Sequence, residues 1–318
     1  MTASKFRGKD MEKNIGFIGV GAMGGPIAAR MVERGIQILA YDIDPKNLAL
    51  AVRKGCTAAT SNRQIFDECE IAFACLPTID ICKAVALAPD GAVSGKQVKI
   101  YIETSTIGSK AAGEIEAGLA QHGITLVDSP VVGAMTALAA GILGVLASCP
   151  RNPFERVKPL LDTYAGRLFY LGEKAGMGQV GKVMSNSVTY ASLLATCEAL
   201  AMGMKGGIDM ETALGIINQG SGANFFSQRM VPNFILKGIF SGTGAMEIGL
   251  KDVSLFLEAA EHIGAGTPVA DAIHSIQEKV VASGPAGRDT MEYIHYFTDL
   301  AGMPRRVGNL VGNSNGKE

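Results

Sequence analysis

Short β-rich apolar runs alternate with helical stretches from Asn14 to about Leu171, and after Gly178 the strand signals stop. The candidate strands are Ile15–Gly19, Ile38–Tyr41, Ile71–Leu76, Lys99–Glu103, Thr125–Asp128, Ile142–Ala147 and Arg167–Tyr170. Strands separated by helix-period segments predict an α/β fold with a doubly wound parallel sheet. Beyond it, apolar positions recur at helical spacing over Gln179–Gly206, Asp209–Gln219, Ser227–Lys237, Glu247–Ile263, Pro268–Ser283 and Asp289–Ala301, which predicts an all-α C-terminal domain. The expected division is a first domain over 12–175 and a second over 176–310, with flexible tails at 1–11 and 311–318.

The first strand runs directly into Gly19-Val20-Gly21-Ala22-Met23-Gly24, and a helical stretch follows from Pro26 to Arg34. Strand, glycine turn and helix in that order suit a dinucleotide. The first glycine permits the tight turn, the second lets backbone approach a pyrophosphate, and the third lets the helix pack on the strand. The second strand ends in Asp42, at the spacing where a carboxylate accepts hydrogen bonds from the adenosine ribose hydroxyls. Gly19, Gly21, Ala22, Met23, Gly24 and Asp42 are therefore candidate cofactor residues. NAD is the expected cofactor, because Asp42 repels a ribose 2′-phosphate and neither Ile43 nor Asp44 supplies a compensating cation. Ligands of such sheets bind beyond the strands' carboxyl ends, where Leu76-Pro77-Thr78, Glu103-Thr104-Ser105-Thr106 and Asp128-Ser129-Pro130-Val131-Val132-Gly133 lie.

With 318 residues, 47% of them apolar, the chain can build two cores, and a formal net charge of −1 offers no field for nucleic acid or an anionic membrane. A small-molecule substrate is the expected partner. The six cysteines lack metal or disulfide spacing, as in a reduced, cytoplasmic enzyme, and the first dozen residues carry no apolar block of a secretory signal. Val183 to Met204 is long and mostly apolar, but Asn186 and Glu198 within it make an interior helix a better reading than a membrane span. The four histidines are dispersed, so no metal is expected, and no Gly-x-Ser-x-Gly elbow marks a serine nucleophile.

Gly176-Met177-Gly178-Gln179-Val180-Gly181-Lys182 satisfies the glycine and lysine positions of a phosphate-binding loop, then fails at Val183, where magnesium needs a hydroxyl. Asn186 follows Lys182 by four residues, so both side chains stack on one helix face. A lysine beside a neutral amide at a domain junction can pass a proton to or from a substrate oxygen. Taken alone, Lys182 also fits a solvated surface lysine, and Lys251-Asp252 a charge pair on a helix surface.

Across nearly its whole length the chain resembles the β-hydroxyacid dehydrogenase family, typified by 3-hydroxyisobutyrate dehydrogenases. The resemblance is carried by Gly19 to Pro26, Glu103-Thr104-Ser105-Thr106-Ile107, Asp128-Ser129-Pro130-Val131, Gly178-Gln179 through Lys182 to Asn186, and Lys251-Asp252. It implies an N-terminal Rossmann domain, a long interdomain helix and an all-α domain used for oligomerisation, as a homodimer or homotetramer. By the same resemblance Lys182 matches the catalytic lysine and Asn186 its partner. Lys251 matches a lysine that approaches the active site, and Leu76, Pro77 and Thr106 line the path of the cofactor. The implied activity is NAD-dependent hydride transfer between nicotinamide and a hydroxy acid, an alcohol or the corresponding aldehyde or ketone.

Departures from the family pattern bear on the substrate. The family usually reads Asp-Ala-Pro-Val-Ser-Gly-Gly, whose serine and glycine amides hold a carboxylate. Here Ser129 follows the aspartate, Val132 takes the serine's place, Gly133 is kept and Ala134 replaces the second glycine. Asn224-Phe225 stands where Ser-Trp is usual, which places Phe225 among the substrate residues. The smallest β-hydroxyacids are therefore expected to be poor substrates. Alternatives are a non-catalytic nucleotide-binding or scaffold protein of the same family, and an imine or semialdehyde reductase; retention of Lys182 counts against the scaffold and against imine reduction.

Overall fold

The computed structural model describes residues 15–133 and 135–303 and divides into two compact units, the first ending at Lys182 and the second beginning at Val183. In the first unit six parallel strands, β1 (Ile15–Ile18), β2 (Ile38–Tyr41), β3 (Thr57–Ala58), β4 (Ile71–Ala74), β5 (Ile100–Glu103) and β6 (Thr125–Asp128), form one sheet in the order β3-β2-β1-β4-β5-β6. The order reverses between β1 and β4, which makes that crevice the switch point where such sheets bind ligands.

β1, β4 and β5 are buried along their whole length, as parallel strands covered on both faces must be. Alternation then sorts the side chains. Ile15, Phe17, Ile71, Phe73, Ile100 and Ile102 enter one core with Ile27 and Met31 of helix Gly24–Glu33 and Phe154 and Val157 of helix Arg151–Leu161. Ile18, Ala72, Ala74 and Tyr101 enter the other, under helices Asn62–Glu68, Ile79–Leu87 and Gly108–Ala120. Cross-strand partners Phe17 and Phe73 stack with ring centroids 5.4 Å apart, fixing the β1/β4 register at the switch point.

The last two predicted strands leave this sheet. Short β7 (Val131–Val132) pairs antiparallel with β8 (Gly144–Ala147), which pairs parallel with β9 (Arg167–Tyr170), giving a separate three-stranded sheet. The single parallel sheet expected from the alternation is thus two. The break falls at Pro130, which has no N–H to continue a ladder.

The second unit is helical and has its own core, which includes Leu193, Cys197 and Leu200 of the 29-residue helix Met177–Lys205 together with Val253, Ile273 and Ile294. Helix Met210–Gln219 starts at Asp209, whose carboxylate accepts the Thr212 N–H, and helix Met246–Ile263 ends at left-handed Gly264. Helices Pro268–Ala282 and Tyr293–Leu300 follow. The helix expected over Ser227–Lys237 is broken into a π-turn over Phe226–Met230, a short α segment Val231–Asn233 and a 3-10 turn Ile235–Lys237. Pro232 supplies no amide to the turn before it.

No helix among the described residues is long and apolar enough to cross a membrane. The six cysteines are free thiols, five of them buried. Among the described residues no group of three or more His, Cys, Asp or Glu side chains could hold a metal ion. Ala134 and the expected tails lie outside the described residues.

Candidate active site

The glycine turn is built as its sequence requires. Gly19 has φ +82°, and a Cβ there would stand 2.2 Å from the Cys75 carbonyl oxygen. Gly24 opens helix Gly24–Glu33 so close to the turn that its Cβ would meet the Gly19 carbonyl oxygen at 2.0 Å. At Gly21 the nearest atom to such a Cβ is the Asn47 amide nitrogen at 3.5 Å, so the turn's outer face is open to a ligand. A cleft of about 540 Å³ opens there, lined by Val20, Gly21, Ala22, Pro26, Asn47 and Lys54 among others. Met23 is half-buried beside it. The residues present fit a dinucleotide, with the pyrophosphate facing the helix N-terminus.

Asp42, half-buried at the end of β2, is tied to this turn. One carboxylate oxygen accepts the Val20 N–H at 2.9 Å and the other the Asp44 N–H at 2.8 Å, with the Asn47 amide at 3.4 Å. Local backbone therefore fixes the acid before any ribose arrives.

Leu76 is half-buried and Pro77 exposed just past β4, and Thr106 is half-buried just past β5. A buried network holds these loops together. The Thr104 hydroxyl donates to the Ala74 carbonyl oxygen at 2.7 Å, and the Ser105 hydroxyl accepts the Leu76 N–H at 2.8 Å. Gln179 accepts the Ile107 and Gly108 N–H groups on its amide oxygen at 2.9 and 3.1 Å. Its amide nitrogen donates to the Ser105 carbonyl oxygen at 3.1 Å and to Asp128 at 2.7 Å.

Asp128 anchors the start of the helix that carries Lys182. Fully buried at the end of β6, it accepts the Gly176 N–H at 2.9 Å, the Gln179 N–H at 3.2 Å and the Ser148 hydroxyl at 3.0 Å. Ser148 in turn accepts the Gly178 N–H at 3.0 Å. Three amides of a helix N-terminus are thus satisfied by two side chains from strand ends. Burial raises the Asp128 pKa, and the Gln179 and Ser148 hydrogen bonds oppose that rise. Lys182 follows one turn later, half-buried.

The stretch after Asp128 departs from expectation at one residue. Ser129 is fully buried, its N–H donates to the Glu103 carbonyl oxygen at 2.8 Å, and its hydroxyl has no hydrogen-bond partner among the described residues. Its burial sets it apart from the half-buried Val132 and exposed Gly133 that follow. Val132 is half-buried and packs over Gly144, whose Cβ would be 2.4 Å from a Val132 methyl. Gly133, at φ +118°, is exposed.

In the second unit, Asn186 donates its amide to Asp252 at 2.6 Å, and Lys251 pairs with the same carboxylate at 3.2 Å. Asp252 is 4% exposed, so Lys251-Asp252 is not a pair on a solvated surface. Lys251 is the one candidate cofactor residue that lies in this unit; the others lie in the first. Phe225 is 48% exposed and sits edge-on to Phe226. Asn224 beside it caps the π-turn by accepting the Phe226 and Ser227 N–H groups at 2.9 and 3.1 Å.

Three residues of these networks, Asp252, Gln179 and Glu103, received no role from the sequence. Asp252 was legible as a carboxylate on the apolar stripe of its helix, between Gly249 and Val253. Gln179 and Glu103 carry no such periodic signal.

Residues 14–172 match the family model described as the NAD binding domain of 6-phosphogluconate dehydrogenase, and residues 176–297 match that of the NAD-binding region of NADP-dependent 3-hydroxyisobutyrate dehydrogenase. The chain is 29% identical to a 2-(hydroxymethyl)glutarate dehydrogenase of Eubacterium barkeri over 92% of its own length and 98% of that protein. It is 30% identical to a 3-hydroxyisobutyrate dehydrogenase of Pseudomonas aeruginosa over 80% of its own length and 88% of that protein. Its fold matches the solved structure of a Mycobacterium tuberculosis 3-hydroxyisobutyrate dehydrogenase with L-serine at a TM-score of 0.77, with 25% identity, covering 90% of this chain and 99% of that one. A glycine turn built for a pyrophosphate, a two-unit α/β and all-α fold and these matches along both units have one explanation: the chain belongs to the β-hydroxyacid dehydrogenase family, whose first unit is an NAD-binding Rossmann domain.

Proposed function

We propose that this protein is an NAD-dependent dehydrogenase of a hydroxy acid larger than 3-hydroxyisobutyrate, with Lys182 as general acid and base and Asn186 as the orienting amide. The bound dinucleotide supplies the hydride acceptor. Gly19 to Gly24 and Asp42 hold it at the turn, and Leu76, Pro77, Thr106 and Lys251 line its path. The observation that carries the reading is the Asn186–Asp252 hydrogen bond of 2.6 Å. The amide nitrogen donates to the Asp252 carboxyl oxygen, which leaves the Asn186 oxygen as an acceptor one helical turn from Lys182. The lysine takes the substrate hydroxyl proton during oxidation and returns it during reduction. Turnover of a hydroxy-acid panel tests this: a chain that binds NADH and turns over none of them is the non-catalytic relative instead.

NAD is expected to give at least about tenfold higher kcat/KM than NADP, the effect of one unscreened like-charge contact of about 1.4 kcal/mol. Lys54 lines the cleft beside Gly21, but Asp42 is the group bonded to the turn itself. Asp42→Ala should weaken NAD and narrow the ratio. Equal efficiency with both cofactors in the native protein contradicts this.

The substrate reading rests on Val132. A carboxylate against a valine methyl lacks a charge-assisted hydrogen bond worth about 1.5–3 kcal/mol. Phe225, taken with Val132 as a substrate residue, favours the same bulkier, less polar substrates. The Eubacterium barkeri relative is named for a substituted glutarate, a longer acid than 3-hydroxyisobutyrate. Val132→Ser is expected to raise kcat/KM for small hydroxy acids about tenfold. Efficient native turnover of those acids, with no gain from serine, would show that Val132 serves only to fill the space over Gly144.

The protein is further read as a cytoplasmic homodimer or homotetramer. Support comes from the long helix, where Met184, Val188 and Met202 expose 58%, 65% and 69% of their surface at spacings that align them along one side.

A further inference from the structure

Glu103 ends β5 with no exposed surface, on the sheet face that enters the second core of the Rossmann unit. A carboxyl inside an apolar layer has a cost, and packing does not require one there. Its Oε1 accepts the Ser105 N–H at 2.9 Å, and its Oε2 is buried without a hydrogen-bond partner among the described residues. The Ser105 hydroxyl oxygen accepts the Leu76 N–H at 2.8 Å, so the loop after β4 is tied to the same residue. Through the Ser105 carbonyl the chain of bonds continues to Gln179, and from Gln179 to Ile107 and Gly108. One carboxyl thus reaches, at one or two removes, the loop that begins with Leu76, the loop that carries Thr106 and the first turn of the Lys182 helix.

We propose that Glu103 is a positioning residue for the dinucleotide site: its carboxylate, acting through Ser105, holds the loops after β4 and β5 in the binding conformation, and protonating it loosens them. The proposal rests on the reading that Leu76, Pro77 and Thr106 line the cofactor. Ionised, Glu103 accepts a charge-assisted bond from the Ser105 N–H; protonated, it loses that charge and weakens the hold. Burial pushes the Glu103 pKa up to about 7, opposed by Ser105 and Cys82, so both forms occur near neutral pH.

The titratable groups around it are Cys75 at the end of β4, Cys82 on helix Ile79–Leu87, Tyr101 on β5 and Asp128 on β6. Burial raises both thiols and the phenol, Cys75 to about 11, so all three stay neutral between pH 6 and 8. The unit's one histidine, His122, is exposed at the far end of helix Gly108–Ala120. Asp128 is separated from Glu103 by the variant below.

The experiment is a fluorescence titration of NADH binding to the full chain from pH 6 to 8, with kcat and KM measured in parallel. A one-unit fall in the Glu103 pKa on binding makes the native affinity rise about fivefold across that range. Glu103→Gln is expected to bind at the weak, low-pH level throughout, with KM for NADH raised and kcat at saturation little changed. Ser105→Ala, which cuts the relay and leaves the carboxyl, should flatten the profile too. A native affinity that is constant with pH, or that falls as pH rises, overturns the proposal, and needs no variant to fold. A slope that survives Glu103→Gln belongs to Asp128 and overturns it as well. Failure to bind NADH at any pH removes the cofactor-loop reading itself, a result distinct from a flat profile.

Discussion

Lys182→Ala is expected to lower kcat by about a hundredfold or more, the scale on which positioned general acids and bases act, while NADH affinity changes by less than about threefold. The two effects separate because they live on different elements. In the proposed function the dinucleotide is held by the glycine turn and Asp42, whose bonds to Val20 and Asp44 do not involve the long helix. Lys182 sits on a helix whose first turn is fixed by Asp128, Ser148 and Gln179, so truncating its side chain leaves the backbone where it was. Lys182→Arg is expected not to rescue, since a guanidinium keeps its proton at any working pH. Steady-state kinetics with a fluorescence titration measure both quantities. A variant within a few-fold of native kcat would make Lys182 structural and move the proton donor elsewhere.

The parts legible in the sequence are those that a local rule decides. Gly19 and Gly24 had to be glycine because backbone oxygens stand within 2.2 Å of their absent Cβ atoms, and such positions leave a mark in sequence. Strands β1, β4 and β5 are buried on both faces and so read as unbroken apolar runs. Strands β3 and β7 have two residues each, too few for any period, and β7 lay inside a segment that read as a ligand loop. Ser129 shows a related limit: its place after a strand end suggested a ligand contact, and only the packing shows that it is fully buried with its N–H on the Glu103 carbonyl oxygen. Lys251-Asp252 misled because a charged dipeptide on a helix usually faces water, and only the three-dimensional packing buries Asp252 against Asn186. Buried networks such as Glu103–Ser105–Gln179 join residues 2 to 74 positions apart, a range over which neither propensity nor periodicity carries information.

Asp128→Ala is expected to destabilise the Rossmann unit by at least about 3 kcal/mol, because it leaves several buried donors without an acceptor at about 1–3 kcal/mol each. The donors are the Gly176 and Gln179 N–H groups, the Ser148 hydroxyl and the Gln179 amide. No water can replace the carboxylate without room, and Asp128 is fully buried, with the Gly178 backbone so close that a Cβ there would stand 2.8 Å from its Oδ2. Asp128→Asn discriminates between charge and shape. Its oxygen can still serve Gly176, Gln179 N–H and Ser148, but its NH₂ then faces the Gln179 NH₂, two donors with no acceptor between them. Flipping Gln179 to relieve that contact turns its NH₂ toward the Ile107 and Gly108 N–H groups, which need its oxygen. The asparagine is therefore expected to fall between native and alanine in urea unfolding, and to lower kcat more than NADH affinity, since the helix start that carries Lys182 is what it loosens. An asparagine variant as stable and as active as the native protein would show that the network tolerates a neutral amide, and that the carboxylate is not what sets the helix.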